Sequence, residues 1–318
     1  MRHPTQNRAS VPAAGLALFA LVIGTAACTT QEEPNGGRPV EVIATPPATG
    51  TGSSSGDVTP PAPVPVSYDE AEAAFTGKRF SEAVQKFSAY VEQRPENPWG
   101  HYMLGLSAWK AGEPVLAESA FVKAIELDPK HVKSLVNLSR VLLEQDRARE
   151  ARTQITKALD LDSTSAEVHR VMGRVYGELK QHEEAIVSYR RALSLDPTDV
   201  WSMNNMAFIL IQQERYDEAL PALARATQLA PDVAVFQNNL GIALERTGRF
   251  TLAAEAYRAA VAADSGYHKA VLSLARVEQL EEDPAMLPIE LTTLAEAFDR
   301  EIRIGVGEVT TVKKEGGE

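Results

Sequence analysis

The sequence predicts an all-α protein built from stacked helical hairpins, on the strength of two observations. The first is an internal repeat in which one alanine recurs every 34 residues without insertion. This alanine column consists of Ala83, Ala117, Ala151, Ala185, Ala219 and Ala253. The second is that apolar residues within each unit recur at spacings of three and four, which places them on one face of a helix. A single hairpin cannot bury that face alone, so neighbouring units must stack.

Other columns of the repeat indicate where the helices meet and where they end. A small side chain stands twelve residues before each alanine, which lets the two helices of a hairpin approach closely. These small residues are Ala71, Gly105, Ser139, Gly173, Ala207 and Gly241. Larger side chains such as Phe87, Phe121 and Tyr189 recur in the second helix. Pro129 and Pro197 mark the ends of two second helices, because proline cannot continue a helix.

These columns resemble the tetratricopeptide repeat over about residues 64–280. The resemblance implies a right-handed α-solenoid of about six helical hairpins, which with a C-terminal capping helix would occupy residues 67–304. The capping helix is predicted by the three- and four-residue spacing of Leu287, Leu291, Leu294, Phe298 and Ile302. An interaction helix is the alternative for that segment. We expect residues 305–318 to form a disordered tail.

The N-terminal segment has the features of a bacterial export signal. Arg2 and Arg8 precede a short apolar run at residues 16–23, and small residues precede Cys28, the only cysteine. This order predicts a secretory signal at residues 1–27, and the apolar run is too short for a spanning helix. A cysteine directly after small residues resembles the lipobox of bacterial lipoproteins, which implies lipidation at Cys28 and a membrane anchor. Thr25 departs from the leucine usual in that motif, and an ordinary secretory signal is the alternative.

A linker is predicted between the signal and the repeats. Residues 28–66 are dominated by proline, glycine, serine and threonine. They offer too little apolar surface to offset the entropy of ordering, so we expect this segment to be disordered. A coil of this length would span roughly 35 Å, which is enough to hold a folded domain clear of a membrane surface.

The charge and the lack of catalytic patterns limit the classes of function. A formal net charge of −11 disfavours nucleic acid, because phosphate binding needs a basic surface. No two of the six histidines have the spacing of a zinc site. The acidic residues are scattered as on solvated helix faces. We therefore expect a non-catalytic chain with no cofactor, no metal and no small-molecule substrate, whose partners are proteins or peptides.

The family resemblance also implies where a partner would bind. In tetratricopeptide domains one face of each first helix lines a concave groove that holds peptides, and in this sequence that face carries all three tryptophans. The predicted peptide-binding residues are Trp99, Tyr102, Trp109, Asn137, Arg140, Arg170, Arg174, Trp201, Asn204, Asn205, Phe208, Asn238 and Asn239.

Each type of side chain in this set has an expected role and an alternative. Aromatic residues would anchor an apolar part of the ligand, with packing between neighbouring units as the alternative. Amides would bind the ligand backbone, and their column partly resembles the asparagine ladder of some family members, although Met103 and Val171 interrupt it. Arginines would hold an anionic group. Their alternative is a solvated face balanced by Glu144, Glu167 and Glu178.

Together these features predict an exported, lipid-anchored scaffold of the bacterial cell envelope that binds partner proteins or peptides in its groove. The alternative is a structural subunit, or a pilotin-like assembly factor, of a pilus, secretion or outer-membrane complex. Both interpretations rest on architecture, since a fold does not fix a function.

Overall fold

The computed structural model describes the backbone of residues 66–315 and the side chains of residues 66–304. The signal segment, Cys28 and nearly all of the predicted linker lie outside the described residues. Within them the chain forms fourteen α-helices and no strand. The helices are α1 (Tyr68–Thr76), α2 (Phe80–Gln93), α3 (Pro98–Ala111), α4 (Pro114–Leu127), α5 (Val132–Glu144), α6 (Ala148–Leu161), α7 (Ala166–Glu178), α8 (His182–Leu195), α9 (Val200–Gln212), α10 (Tyr216–Leu229), α11 (Ala234–Arg246), α12 (Phe250–Ala263), α13 (His268–Val277) and α14 (Leu291–Glu315).

The first twelve helices form six hairpins, which confirms the predicted solenoid, and α13 begins a seventh unit. Several first helices start at a side-chain cap. Asn97, Ser165 and Asp199 each accept a hydrogen bond from the backbone N–H three residues later, which satisfies a donor that the helix leaves unpaired. Each hairpin then turns through one residue with a positive φ between 58° and 81°. This left-handed residue ends the first helix and reverses the chain. It is Lys78, Gly112, Asp146, Lys180, Glu214 or Gly248.

The alanine column and the small column meet in the core of each hairpin. All six column alanines are fully buried. Gly105, Gly173 and Gly241 lie against an aromatic ring of the second helix, and a Cβ at these positions would stand 2.6–2.7 Å from a ring carbon. Only a glycine permits that approach, so the close contact between the two helices depends on these small residues.

First and second helices have different neighbours. First helices of successive units contact one another, from α1 and α3 through to α11 and α13. Successive second helices, within the described range, make no such contact and instead touch the first helices on either side. The first helices are therefore closer together, and the stack curves around them. We call the side formed by α3, α5, α7, α9, α11 and α13 the inner face, and the side formed by α2, α4, α6, α8, α10 and α12 the outer face.

The C-terminal helix α14 is longer than the sequence predicted. It runs to Glu315, so the backbone of residues 305–315 is helical where we expected a disordered tail. An established helix extends without forming a new nucleus, which is the costly step. The helix also begins at Leu291, later than its apolar pattern predicted. Leu287 precedes the helix and is 81% exposed. Although α14 has 25 residues, no helix in the described part of the chain is long and apolar enough to cross a bilayer.

The position of α14 also differs from that of a cap at the end of the stack. As far as the structure describes it, this helix contacts α10 and α8 but not α13. Phe298 and Ile302 are buried in the core that α8 and α10 contribute to. The predicted helix is therefore present but covers part of the outer face. Among the described helices only α11 and α12 contact α13, and Leu272 on α13 is 71% exposed.

Candidate protein-binding face

At the N-terminal part of the inner face, an aromatic cluster joins α3 to α5. Trp99 is 47% exposed, and its ring centroid lies 4.5 Å from that of His131 and 5.7 Å from that of Tyr102. The Lys133 ammonium stands 5.4 Å from the Trp99 ring centroid, within cation–π distance. Tyr102 is buried beneath the indole, and this burial raises the pKa of its phenol. The cluster therefore presents one exposed indole beside a positive charge.

His131 is the part of this cluster that the sequence analysis missed. It caps α5, where its Nδ1 accepts hydrogen bonds from the Ser134 N–H and hydroxyl at 3.2 and 2.8 Å. Burial lowers the pKa of the imidazole, which favours the neutral ring that these bonds require. The available signal was the position of His131 directly before a helix, where three other units have Asn97, Ser165 or Asp199.

The second tryptophan of α3, Trp109, is half-buried and tied to the next unit. Its indole N–H donates a 2.8 Å hydrogen bond to the Glu144 carboxylate of α5. The Lys110 ammonium lies 5.0 Å from the Trp109 ring centroid. Trp109 is thus oriented by one neighbour and leaves part of its ring on the surface.

Two of the three arginines in the middle of the inner face are paired with carboxylates of the following unit. Arg140 contacts Glu167 at 2.9 Å, and Arg170 contacts Asp199 at 3.1 Å. Asp199 also caps α9 through the Ser202 N–H and hydroxyl, so its carboxylate serves two helices. Arg174 is buried, with a relative exposure of 5%. An anionic ligand would therefore compete with Glu167 and Asp199, which already pair with Arg140 and Arg170.

Asparagines dominate the C-terminal part of the inner face. Asn204 and Asn239 are buried, and the Asn239 amide donates a 2.8 Å hydrogen bond to the Asn204 Oδ1 across the α9–α11 contact. Asn204 in turn donates to Asn205 at 3.3 Å. Asn238 is also buried, and among the described residues its Oδ1 has no hydrogen-bond partner. Asn137 lies on α5, nearer the N-terminus, where it is buried and its amide donates to the Lys133 backbone oxygen of the same helix. Of the five predicted amides, only Asn205 is partly exposed.

The third tryptophan, Trp201, also contacts the next unit. Trp201 packs edge-on against Phe236, with ring centroids 5.0 Å apart, and both Trp201 and Phe208 are half-buried. Beyond them, Arg276 of α13 binds Glu245 of α11 through two hydrogen bonds of 2.9 and 2.8 Å. Burial opposes the charge of Glu245, but bonds from Arg276 and Tyr257 outweigh it and lower the pKa of the carboxyl.

These contacts form one lateral series along the inner face. The three tryptophans, Arg140 and Arg170 each contact the next unit and still leave part of their surface at the groove. Within the described residues, no group of three or more potential metal ligands is present. The arrangement can therefore present oriented apolar and polar groups to a ligand, as a binding surface requires.

Family models place the repeats among known proteins. Two models described as tetratricopeptide repeat match residues 108–175 and 206–268, and one described as TPR repeat matches residues 173–213. The matches run continuously over about half of the chain. A comparison with curated proteins finds no match.

Solved structures share the fold at low sequence identity. A chain in the crystal structure of the APC/C hetero-tetramer Cut9–Hcn1 aligns with a TM-score of 0.60 and 18% identity, over 65% of this chain and 41% of that chain. TTC0263, a thermophilic TPR protein of Thermus thermophilus, aligns with a TM-score of 0.50 and 17% identity, over 58% of this chain and 100% of that chain. A MamA structure from Desulfovibrio magneticus RS-1 has a TM-score of 0.47 and 18% identity, over 51% and 91% of the two chains. At such identities these likenesses concern the fold alone.

Proposed function

Since this chain belongs to the tetratricopeptide-repeat family, we propose that it is a non-catalytic scaffold that binds a partner protein or peptide on its inner face. Protein–protein interaction is the general role of the family, and it supports the statement that this chain binds a partner. The position of the ligand on the inner face and the place of the protein in the cell are argued separately below.

One observation carries the choice of the inner face. All three tryptophans lie there, and each is held by a neighbour while part of its ring remains at the surface. Aromatic anchors that are already oriented lose little conformational freedom when a ligand binds. Scattered single apolar residues elsewhere on the surface need no such explanation.

The chemistry along the face supports a ligand with both apolar and polar parts. Trp99 with Lys133 suits an aromatic or apolar side chain near a carboxylate. Trp201, Phe208 and Asn205 offer a second apolar site beside an amide that can bind a peptide backbone. Arg140 and Arg170, between these two sites, would set the register of the ligand and add little affinity. Their charge is already balanced by Glu167 and Asp199, so a ligand carboxylate gains little by replacing these partners.

Binding to the inner face is tested with two exposed aromatic positions and one control. We expect Trp201→Ala and Trp99→Ala each to weaken binding of a partner isolated by crosslinking, by about 2 kcal/mol for a true hot spot. Val122→Ala is the matched control, because Val122 is a 39% exposed apolar residue on the outer face. The measurement is a binding titration, with the thermal midpoint of each variant checked alongside. Equal losses for Val122→Ala and Trp201→Ala would place the ligand elsewhere.

We extend the proposal to the cell envelope, with the repeats exported and held at a membrane through a lipid on Cys28. The support is sequence alone: basic residues, a short apolar run and small residues stand before a lone cysteine. The proline- and glycine-rich linker at residues 28–66 would leave the inner face free to meet its partners.

Lipidation is tested at the cysteine itself. Cys28→Ser is expected to move the full-length protein from the detergent phase to the soluble envelope fraction, because the lipid is lost. Thr25→Leu serves as the control, since it completes the lipobox pattern and keeps the cysteine, and it should partition with the detergent. Detergent partitioning that is unchanged in Cys28→Ser would exclude the anchor while leaving the binding proposal intact.

A further inference from the structure

A second surface of the protein, on its outer face, has the chemistry of a binding site. A depression beside α6 has a volume of about 760 Å³, which lies within the roughly 300–1,000 Å³ of ligand sites. We call it the outer cleft. Its lining includes Arg149, Arg152, Thr153, Thr156, Lys157 and Leu179.

The cations of the outer cleft are exposed to solvent. Among the side chains described for residues 66–304, no carboxylate forms an ion pair with Arg149, Arg152 or Lys157. Arg152 stands 5.9 Å from the centroid of the Tyr176 ring, and Lys157 reaches only the neutral Gln154. These three cations lie together beside one depression and form a local basic patch on a chain with a formal net charge of −11, and such a patch attracts acidic groups.

The chain itself provides an example of what an outer-face site of this kind accepts. Two repeats after Lys157 stands Arg225, which binds Asp299 of α14 at 2.9 Å. One repeat after Thr156 stands Arg190, which binds Glu301 of α14 at 2.9 Å. At the outer face of α8 and α10, an amphipathic helix thus pairs its carboxylates with basic residues of the second helices.

The apolar side of that arrangement is reproduced only in part in the outer cleft, because an arginine replaces Ile186 and Leu220 there. Phe298 and Ile302 of α14 are buried in the core that includes Ile186 and Leu220. Arg152 occupies the equivalent repeat position on α6, where its aliphatic stem and the half-buried Leu179 offer apolar surface. No contact joins α14 to α6 within the described residues.

We propose that the outer cleft binds an acidic amphipathic helix of a partner protein, in the way that α14 occupies the outer face of α8 and α10. The carboxylates of that helix pair with Arg149, Arg152 and Lys157, and its apolar side covers Leu179. This site is separate from the inner face, so the scaffold holds two partners at once.

The test uses the full chain and a synthetic helical peptide as the probe. The peptide has the sequence of residues 290–304 with Arg300→Glu and Arg303→Glu, which keeps the apolar stripe of α14 and makes it strongly acidic. Arg152→Glu combined with Lys157→Glu should weaken its binding at least about tenfold at low salt, and less at high salt, because two favourable pairings become repulsive. Lys86→Glu combined with Lys123→Glu is the matched control, since it makes the same charge change on α2 and α4, and it should bind the peptide as the unmodified chain does.

Three results would overturn the proposal. The first is an equal loss in the cleft variant and the control variant, which would indicate a response to net charge alone. The second is unchanged binding of a peptide carrying Phe298→Ser, because the apolar side would then contribute nothing. The third is cleft-dependent binding to vesicles of anionic lipid, or cleft-dependent self-association of the protein, without binding of the peptide. Trp201→Ala should leave peptide binding unchanged, so a failure here is distinguishable from a failure at the inner face.

Discussion

Ala219→Glu is expected to lower the free energy of unfolding by about 3–5 kcal/mol, the range for a buried charge without a partner. Ala219 is fully buried between α9 and α10, so a carboxylate there would lose its hydration and meet only apolar neighbours. In a stack whose units contact only their neighbours, this damage should open the fifth unit and weaken both of its interfaces.

The measurement combines a thermal unfolding curve with hydrogen exchange of the repeats. Amides of α9 and α10 should exchange fastest, while α1 to α4 keep their protection. Gln228→Glu is the control, because it adds the same charge at an exposed position of α10 and should shift the midpoint little. A thermal midpoint of Ala219→Glu that matches the unmodified protein would contradict the register on which the whole fold assignment depends.

Phe298→Ala is expected to release α14 from the outer face. Phe298 is 3% exposed and is part of the core formed with α8 and α10, and truncating a buried phenylalanine costs about 3–5 kcal/mol. Two ion pairs, Asp299 with Arg225 and Glu301 with Arg190, would remain. Partly exposed pairs of this kind contribute only about 0.2–1 kcal/mol each, so they cannot hold the helix alone.

Limited proteolysis and hydrogen exchange of α14 would measure this release. The hairpins that lack α8 or α10 should keep their protection in Phe298→Ala, because α14 contacts only α8 and α10 within the described residues. Leu287→Ala provides the comparison, since Leu287 is 81% exposed and its truncation should leave α14 protected. Unchanged protection of α14 in Phe298→Ala would mean that the apolar contacts do not hold it.

The repeat architecture was predictable because its cause is local and periodic. The alanine column recurs every 34 residues, and the small residue that faces it is a glycine against an aromatic ring in alternate units. The position of α14 was not predictable in this way. An apolar stripe such as Leu294, Phe298 and Ile302 predicts a helix with one buried side, but it does not specify which surface covers that side.

The inner face was predictable as a surface but not as a set of contacts. The repeat register placed the tryptophans and asparagines on the first helices, whereas their pairings join residues of different units. The Asn204–Asn239 bond spans 35 residues and the Arg170–Asp199 bond spans 29. Such pairings depend on the rotation between successive units, which no single unit encodes. They show that the predicted groove residues also hold the stack together, so each substitution there needs a stability control.

Site-specific photocrosslinking in growing cells tests most directly whether the inner face binds the partner. A photoreactive residue would replace Trp99, Asn205 or Phe208 on the inner face, and Val122 on the outer face away from the outer cleft. The account predicts that the inner-face positions crosslink to a common partner and that Val122 does not. Crosslinking of that partner from Val122, with none from the three inner-face positions, would contradict it.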